Sequence, residues 1–177
     1  MIIRGVTEAD LPSIAAMVDD FVSDHKAASH PRPLSSLRAA YLGPSPIAHL
    51  LVASLSDRVV GMVEWSLFYD QFWALIGVRG EWLYVTPSAR GLGVPAALVA
   101  ELCSRGRASG AAFLRAGAYT PAAERLYERV ALGSPSYECF VSAEAFQHLA
   151  DLAGQPARSI VRNLPSPALS RTPARPR

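Results

Sequence analysis

A glycine-rich loop in the middle of the chain joins an apolar stretch to a predicted helix. Trp82–Val85 predicts a strand, Pro87 begins a turn, and a helix follows from Pro95, with the residues Arg90 to Gly93 between them. The first N–H groups of a helix have no partner within it, and glycine lets a ligand approach the backbone closely. Such a loop can bind an anion, and Arg90 adds positive charge. A tight strand-to-helix turn is the alternative, although one glycine would suffice for it.

Three segments occur in an order that points to a known family. They are Arg90-Gly-Leu-Gly93, the strand end Leu83-Tyr84-Val85, and the run from Thr120 to Tyr127. Their patterns resemble the Arg-x-x-Gly-x-Gly/Ala loop, the fourth strand and the Asn-x-x-Ala-x-x-x-Tyr helix of the GNAT superfamily of N-acetyltransferases. The resemblance covers roughly residues 2–150.

The resemblance implies that the loop holds the pyrophosphate of acetyl-CoA, which serves as co-substrate. The residues it assigns to acetyl-CoA are Tyr84, Val85, Arg90, Gly91, Leu92, Gly93, Val94, Ala96 and Thr120. Two positions depart from the pattern. Pro95 replaces a glycine or alanine and has no N–H to donate, and Thr120 replaces an asparagine, so that it can cap a helix but offers no amide. We therefore expect weaker coenzyme binding. No metal is implied.

Acetyl transfer to an amine needs proton transfers as well as a bound donor. An ammonium must lose a proton before it can attack, and the departing thiolate gains from receiving one. By the resemblance, Tyr127 is the candidate general acid, and a packing tyrosine is the alternative. Glu81 is the candidate general base, and an exposed acid at a strand end is the alternative. The backbone N–H of Tyr84 or Val85 would stabilise the charge that develops on the carbonyl oxygen.

The acceptor is less defined by the sequence. Gly80 to Val85 resembles the strand of the diamine (spermidine/spermine-type) branch, but Trp82 stands where that branch has an aspartate. We expect a primary amine on a small molecule, an amino acid or a diamine, with a protein N-terminus or lysine still open. Glu64 lies mid-strand and points either into the acceptor cleft or to solvent. The acids Asp19, Asp20 and Asp24 are typical of a solvated helix face.

Composition favours one globular domain. The chain has 177 residues, of which 50% are hydrophobic and 18% charged, and no apolar run approaches the ~20 residues of a membrane helix. Cys103 and Cys139 are its two cysteines. They are far apart and no metal-ligand spacing is present, so we expect free thiols and a cytoplasmic location. After Gly154 there are five arginines, five prolines and no acid.

The element order predicts an α/β (α+β) fold. Six strands and four helices alternate as β-α-α-β-β-β-α-β-α-β with a terminal helix, which suggests a mixed, mostly antiparallel sheet flanked by helices on both faces. The expected domain is residues 1–153. Residues 154–177 form an expected disordered tail that is rich in proline and arginine.

Other functions stay open at this point. A catalytically silent coenzyme A sensor or assembly module is favoured by Pro95, Thr120 and Trp82. Contact with nucleic acid through the arginines of the tail is the less expected alternative, and a scaffold without a coenzyme site is a third. No membrane partner is expected, and a homodimer is possible.

Overall fold

The computed structural model describes residues 1–24, 31–117, 121–130, 132–133, 138–141 and 143–165. Within these residues, seven strands form one sheet in the order β1-β2-β3-β4-β5-β7-β6. The strands are β1 (Ile2–Gly5), β2 (His49–Leu55), β3 (Arg58–Asp70), β4 (Leu75–Val85), β5 (Phe113–Gly117), β6 (Leu132–Gly133) and β7 (Glu138–Val141). The helices are α1 (Leu11–Asp24), α2 (Leu34–Leu42), α3 (Val94–Ala108), α4 (Pro121–Val130), α5 (Ala143–Asp151) and α6 (Ala157–Arg162). The expected fold class is confirmed, with one strand more than the sequence predicted.

Only one pair of neighbouring strands is parallel among the described residues. β4 and β5 run in the same direction, and every other adjacent pair is antiparallel. A parallel pair requires a crossover connection. The crossover connection between β4 and β5 contains the glycine-rich loop and, directly after it, α3.

Helices cover both faces of the sheet. On one face, which we name the α1 face, Ile14, Met17 and Phe21 of α1 pack on Leu50 and Met62 of the sheet. On the opposite face, which we name the α3 face, the main core collects side chains of α3, α4, α5 and α6. Its strand residues include Leu51, Val63, Val78 and Leu114. Adjacent residues of one strand therefore serve different cores, as strand alternation requires.

The chain between Tyr69 and Gly80 belongs to a long hairpin. β3 continues to Asp70 and β4 begins at Leu75. The Asp70 carboxylate accepts hydrogen bonds from the N–H groups of Phe72 and Trp73 at 3.0 and 3.1 Å and pairs with Arg115 on β5 at 2.6 Å. The aspartate thereby fixes the turn against a distant strand.

The segment expected to be a disordered tail contains α6. Ile160 is 1% exposed within the main core, and the Arg129 side chain of α4 donates a hydrogen bond of 2.8 Å to the Val161 carbonyl. The expectation of disorder is therefore wrong for this helix, because one buried isoleucine and a capped carbonyl fix it to the core. Residues 166–177 lie outside the described residues.

Candidate active site

A bulge in β4 shapes the middle of the sheet. Met62 pairs with Tyr84 and Glu64 pairs with Glu81, so two residues of β4 stand opposite Val63 alone. Trp82, one of the two, has a φ of 49°, a left-handed conformation that costs a residue with a Cβ about 1–2 kcal/mol. Its ring contacts the Phe21 ring edge-on at 5.0 Å. Bulges of this kind commonly lie beside functional sites.

Pairing between β4 and β5 ends just before the bulge. Gly80 and Ala116 form the last β4–β5 pair among the described residues, whereas β4 continues to Val85. On the side that faces β5, residues 81–85 of β4 therefore have no paired strand among the described residues, and we name this side the opening.

The end of β4 points backbone groups into this opening. The Thr86 N–H donates to the Val60 carbonyl of β3 at 2.9 Å, and neighbouring residues of a strand point their N–H groups to opposite sides. The Val85 N–H therefore faces away from β3, and the Tyr84 N–H faces β3. The Val85 carbonyl agrees with this direction, since it accepts a 3.3 Å hydrogen bond from Nε of Arg90.

The glycine-rich loop begins α3 with free donors. The first backbone bond into the helix runs from the Ala97 N–H to the Gly93 carbonyl at 3.1 Å, which leaves the N–H groups of Val94 and Ala96 without a helical partner. Pro95 has none to offer.

The two glycines of the loop have different surroundings. Gly91 and Gly93 both have a φ of 79°, a conformation that favours glycine. A Cβ at Gly91 would meet nothing within 4 Å, whereas one at Gly93 would lie 3.0 Å from Cβ of Ala157 in α6. The backbone at Gly91 is thus open to a ligand, while Gly93 permits close packing of α6. Leu92 between them is 51% exposed. An open backbone, free helical donors and Arg90 fit a diphosphate.

Arg90 has a carboxylate partner on α1. Its Nη2 lies 3.7 Å from Oδ2 of Asp24, the last residue of that helix. Tyr84 lies beside the pair, and burial, followed by the nearby charges of Asp20 and Asp24, raises the pKa of its phenol. The loop is therefore connected electrostatically to the end of α1. A bound diphosphate would compete with Asp24 for Arg90.

The two candidate proton-transfer residues lie on opposite faces. Glu81 is half-buried. It lies on the α1 face, because it pairs across the sheet with Glu64, and Glu64 pairs with Leu50 of the α1-face core. Tyr127 of α4 is 2% exposed and belongs to the main core of the α3 face. Thr120, assigned to acetyl-CoA by the resemblance, lies outside the described residues.

Glu64 has a partner that the sequence did not indicate. The Tyr41 hydroxyl of α2 donates a hydrogen bond to Oε2 of Glu64. The Glu64 side chain therefore lies beneath α2 rather than in open solvent. Alternation within β4 could have separated Val85 from Tyr84, but placing Glu64 and Glu81 on one face needed the register between β3 and β4. No sequence pattern connects Tyr41 to Glu64, since they belong to separate elements.

The acetyltransferase (GNAT) family model matches residues 14–132, which is most of the sheet together with α1 to α4. The chain belongs to the acetyltransferase (GNAT) family. Members of this family use acetyl-CoA as co-substrate, so the fit of the loop to a diphosphate agrees with the family. In the described part of the chain no group of histidine, cysteine, aspartate or glutamate side chains could hold a metal ion. Within the same residues, no helix has the length and apolar character needed to cross a membrane.

Several solved structures share the GNAT fold. A transcriptional regulator from Bacillus halodurans C-125 is 26% identical, with a TM-score of 0.60 over 72% of this chain and 89% of that chain. A ribosomal-protein-alanine N-acetyltransferase from Brucella melitensis biovar Abortus 2308 is 21% identical, with a TM-score of 0.63 over 76% and 92%. An aminoglycoside acetyltransferase from an uncultured soil metagenomic sample, in complex with sisomicin, is 16% identical, with a TM-score of 0.54 over 66% and 76%. No curated protein matches the chain significantly.

Proposed function

We propose that the protein moves an acetyl group from acetyl-CoA to a primary amine by direct attack, without a covalent enzyme intermediate. The observation that carries this proposal is the stretch of β4 after Gly80, which has no β5 partner among the described residues and leads into the glycine-rich loop. Donor groups of the loop lie at its end, Glu81 approaches from the α1 face and Tyr127 belongs to the core of the α3 face. A donor and an acceptor entering from opposite faces would meet beside Val85.

The loop is proposed to hold the diphosphate of acetyl-CoA. The backbone N–H groups of Gly91 to Val94 and of Ala96 supply donors, and Arg90 supplies a charge that can bind two phosphate oxygens at once. We also propose that Tyr84 and Thr120, which the family resemblance assigns to acetyl-CoA, contact the coenzyme. Tyr84 contributes its side chain beside Arg90 rather than its N–H, because that N–H faces β3.

The N–H of Val85 is the proposed donor to the thioester carbonyl oxygen. It faces the opening, and a backbone donor fixed in place before the reaction stabilises the charge that develops on this oxygen. By mutagenesis of comparable sites, one such donor is worth about 3–4 kcal/mol of barrier.

The proton transfers assign a role to each side chain. The acceptor's ammonium gives one proton to Glu81, and its nitrogen then attacks the thioester carbon while the carbon–sulfur bond breaks. Tyr127 gives a proton to the departing sulfur. The nitrogen then loses its second proton, which passes through water to Tyr127 and restores its hydroxyl. Glu81 returns its proton to solvent, so the reaction yields an amide, a free thiol and one proton.

The acceptor class proposed is a cationic primary amine. Glu81 and Glu64 place carboxylates together on the acceptor side, and Asp20 and Asp24 lie at the end of α1. A small amine, an amino acid or a diamine fits this charge. The names of two neighbours, which concern an aminoglycoside and a ribosomal-protein alanine, add an amino sugar and a protein N-terminus to the acceptors worth testing.

An acceptor screen tests the proposal. Free-thiol release from acetyl-CoA is followed with amines, amino acids, diamines, an aminoglycoside and an N-terminal alanine peptide. We expect release with at least one acceptor, and a loss of about a hundredfold in kcat/KM for Glu81→Gln with that acceptor. A wild-type rate shared by Glu81→Gln would remove Glu81 from the mechanism.

A second candidate function is a silent coenzyme A sensor. It is favoured by the 26% identity to a transcriptional regulator and by the burial of Tyr127. Acetyl-CoA binding without thiol release for any acceptor would support the sensor over the enzyme.

A further inference from the structure

Two glutamates stand directly opposite each other in the sheet. Glu64 of β3 and Glu81 of β4 are Cα partners in the antiparallel register, at the last pair before the bulge. The Cβ atoms of directly opposed residues lie about 4.5–5.5 Å apart, and like charges at this separation are destabilising. The sheet thus holds an unfavourable pair next to the opening where the reaction is proposed.

Tyr41 fixes one member of the pair from above. Its hydroxyl donates a hydrogen bond to Oε2 of Glu64, and both side chains are half-buried. Burial raises the pKa of Glu64, the charge of Glu81 raises it further, and the Tyr41 hydrogen bond opposes the shift. Tyr41 itself keeps its proton, because burial and the carboxylate raise the pKa of its phenol.

The cations around this face are engaged elsewhere. On β4, Arg79 lies over the Phe68 ring at 5.5 Å, and Arg115 of β5 pairs with Asp70 at 2.6 Å. Arg38 of α2 is bonded to Glu8. At the end of α1, Arg90 lies 3.7 Å from Asp24, and Asp20 adds another negative charge near Tyr84. Among the described residues, no cation pairs with Glu64 or Glu81.

We infer that Glu64, held by Tyr41, is a positioning residue for the proposed reaction, making Glu81 part of a carboxylate pair that binds one proton more tightly than a lone carboxylate would. The inference rests on the proposed function, in which Glu81 receives the proton of the acceptor's ammonium. Two interacting carboxylates titrate as a unit, and the doubly charged pair gains most from its first proton. A carboxylate pair that holds one proton jointly favours deprotonation of an ammonium more than a lone carboxylate does.

The two supporting residues have opposite predicted effects. Glu64→Gln removes the neighbouring charge, so the acidic limb of the pH profile of kcat/KM moves to lower pH and the plateau falls by about tenfold. Tyr41→Phe removes the bond that favours ionised Glu64, so the same limb moves to higher pH. Glu8→Gln, an exposed acid bonded to α2 away from the pair, leaves the limb in place.

The test compares these three variants with the wild-type protein, using an acceptor found in the thiol-release screen. The acceptor's own amine titrates identically in all four experiments, so only the displacement between variants reports on the pair. Thermal unfolding of each variant checks that it is folded. Limbs that coincide in all four proteins, or that move in the same direction in Glu64→Gln and Tyr41→Phe, overturn the inference.

A second measurement is independent of activity. The carboxyl carbons of ¹³C-labelled glutamates are titrated by NMR in the wild type, Glu64→Gln and Tyr41→Phe, and the Glu64 signal is identified by its loss in Glu64→Gln. We expect the Glu64 and Glu81 signals to titrate together in the wild type, and independent titration would overturn the coupling. If no acceptor is acetylated the proposed function fails, while this titration still decides whether the two glutamates share a proton.

Discussion

Tyr127 is the residue on which the proposed proton transfer to sulfur depends. A tyrosine in a model peptide has a pKa near about 10, close to that of a thiol leaving group, so a phenol is chemically suited to give a proton to sulfur in the transition state. The side chain is 2% exposed, which shields the hydroxyl from bulk water. In this account, coenzyme bound between β4 and β5 is what brings sulfur within its reach.

Replacing Tyr127 with phenylalanine removes the hydroxyl and keeps the ring in the core. We expect kcat to fall by about tenfold or more while the acetyl-CoA dissociation constant stays within about twofold. Steady-state kinetics and calorimetry measure the two quantities. An unchanged kcat would leave Tyr127 as a packing residue only.

Asp10 is a buried acid whose role is structural. Its carboxylate lies 2.6 and 2.9 Å from the Arg4 guanidinium and accepts hydrogen bonds from the N–H and hydroxyl of Thr7. The structure has it close a capping box with Thr7, on the short 3-10 turn that precedes α1.

The Arg4 hydrogen bonds lower the pKa of Asp10 from 3.8 to about 2, against the opposing effect of burial. A depressed folded-state pKa stabilises the fold above the unfolded value, and this stability is lost as pH falls from about 4 to about 2. Asp10→Asn should lower the free energy of unfolding by about 2 kcal/mol at pH 7 and reduce the loss between pH 4 and 2. Urea denaturation across this pH range measures both. Asp19→Asn, at an exposed ion pair with Arg32, is the matched control and should change little; an equal effect in both variants would contradict the assignment.

At the scale of elements, the end of α1 and the glycine-rich loop are coupled through one ion pair. Asp24 and Arg90 are both about half exposed, at 59% and 51% of their side chains. Exposed pairs of this kind are worth about 0.2–1 kcal/mol. In the proposed binding mode a diphosphate takes Arg90 from Asp24, so this ion pair would work against coenzyme binding.

Asp24→Asn should therefore tighten acetyl-CoA binding by about two- to fivefold. Asp20→Asn removes a charge of the same sign from the same helix without releasing Arg90, so it should have a smaller effect. Calorimetric titration of both variants with acetyl-CoA decides between two explanations of tighter binding: release of Arg90 from Asp24, or the loss of any negative charge from the end of α1. Equal tightening in the two variants, or weaker binding in Asp24→Asn, would contradict the exchange.

Most elements could be predicted from local pattern, and the differences arise from long-range contacts. The strand that contains Trp82–Val85 and the helix that begins near Pro95 follow from the apolar stretch and from the turn residues between them. The continuation of β3 to Asp70 depends on Arg115, some 45 positions away in sequence, and no local pattern contains that contact. The family motifs located the loop, but the direction of the Val85 N–H needed the register with β3. The Tyr41–Glu64 contact needed the packing of α2.

For the whole molecule, α6 extends the domain beyond the boundary expected from composition. The segment after Gly154 is rich in proline and arginine, and this composition predicts disorder. Composition does not reveal Ile160, whose buried side chain anchors α6 to the core. Ala157 packs where Gly93 has no side chain, and the His148 Nε2 lies 2.7 Å from the Asn163 carbonyl. The C-terminal helix therefore also supports the loop proposed to hold the diphosphate.

Truncation tests this boundary. Ending the chain after residue 153 removes α6, and burial of Ile160 alone is worth about 2 kcal/mol. We expect the Tm to fall by about 5 °C or more for a domain of this size. Ending the chain after residue 165 keeps α6 and should leave the Tm within about 1 °C of the full chain. Equal Tm values for the two truncated chains would show that α6 does not stabilise the domain.

The most direct test of the account is calorimetric titration of the folded full chain with acetyl-CoA, beside Arg90→Ala. We expect one site per chain, with binding that Arg90→Ala weakens by about tenfold because a charged hydrogen-bond donor to phosphate is lost. If the folded protein takes up neither acetyl-CoA nor free coenzyme A, the loop does not hold a diphosphate and the proposed acetyl transfer is contradicted.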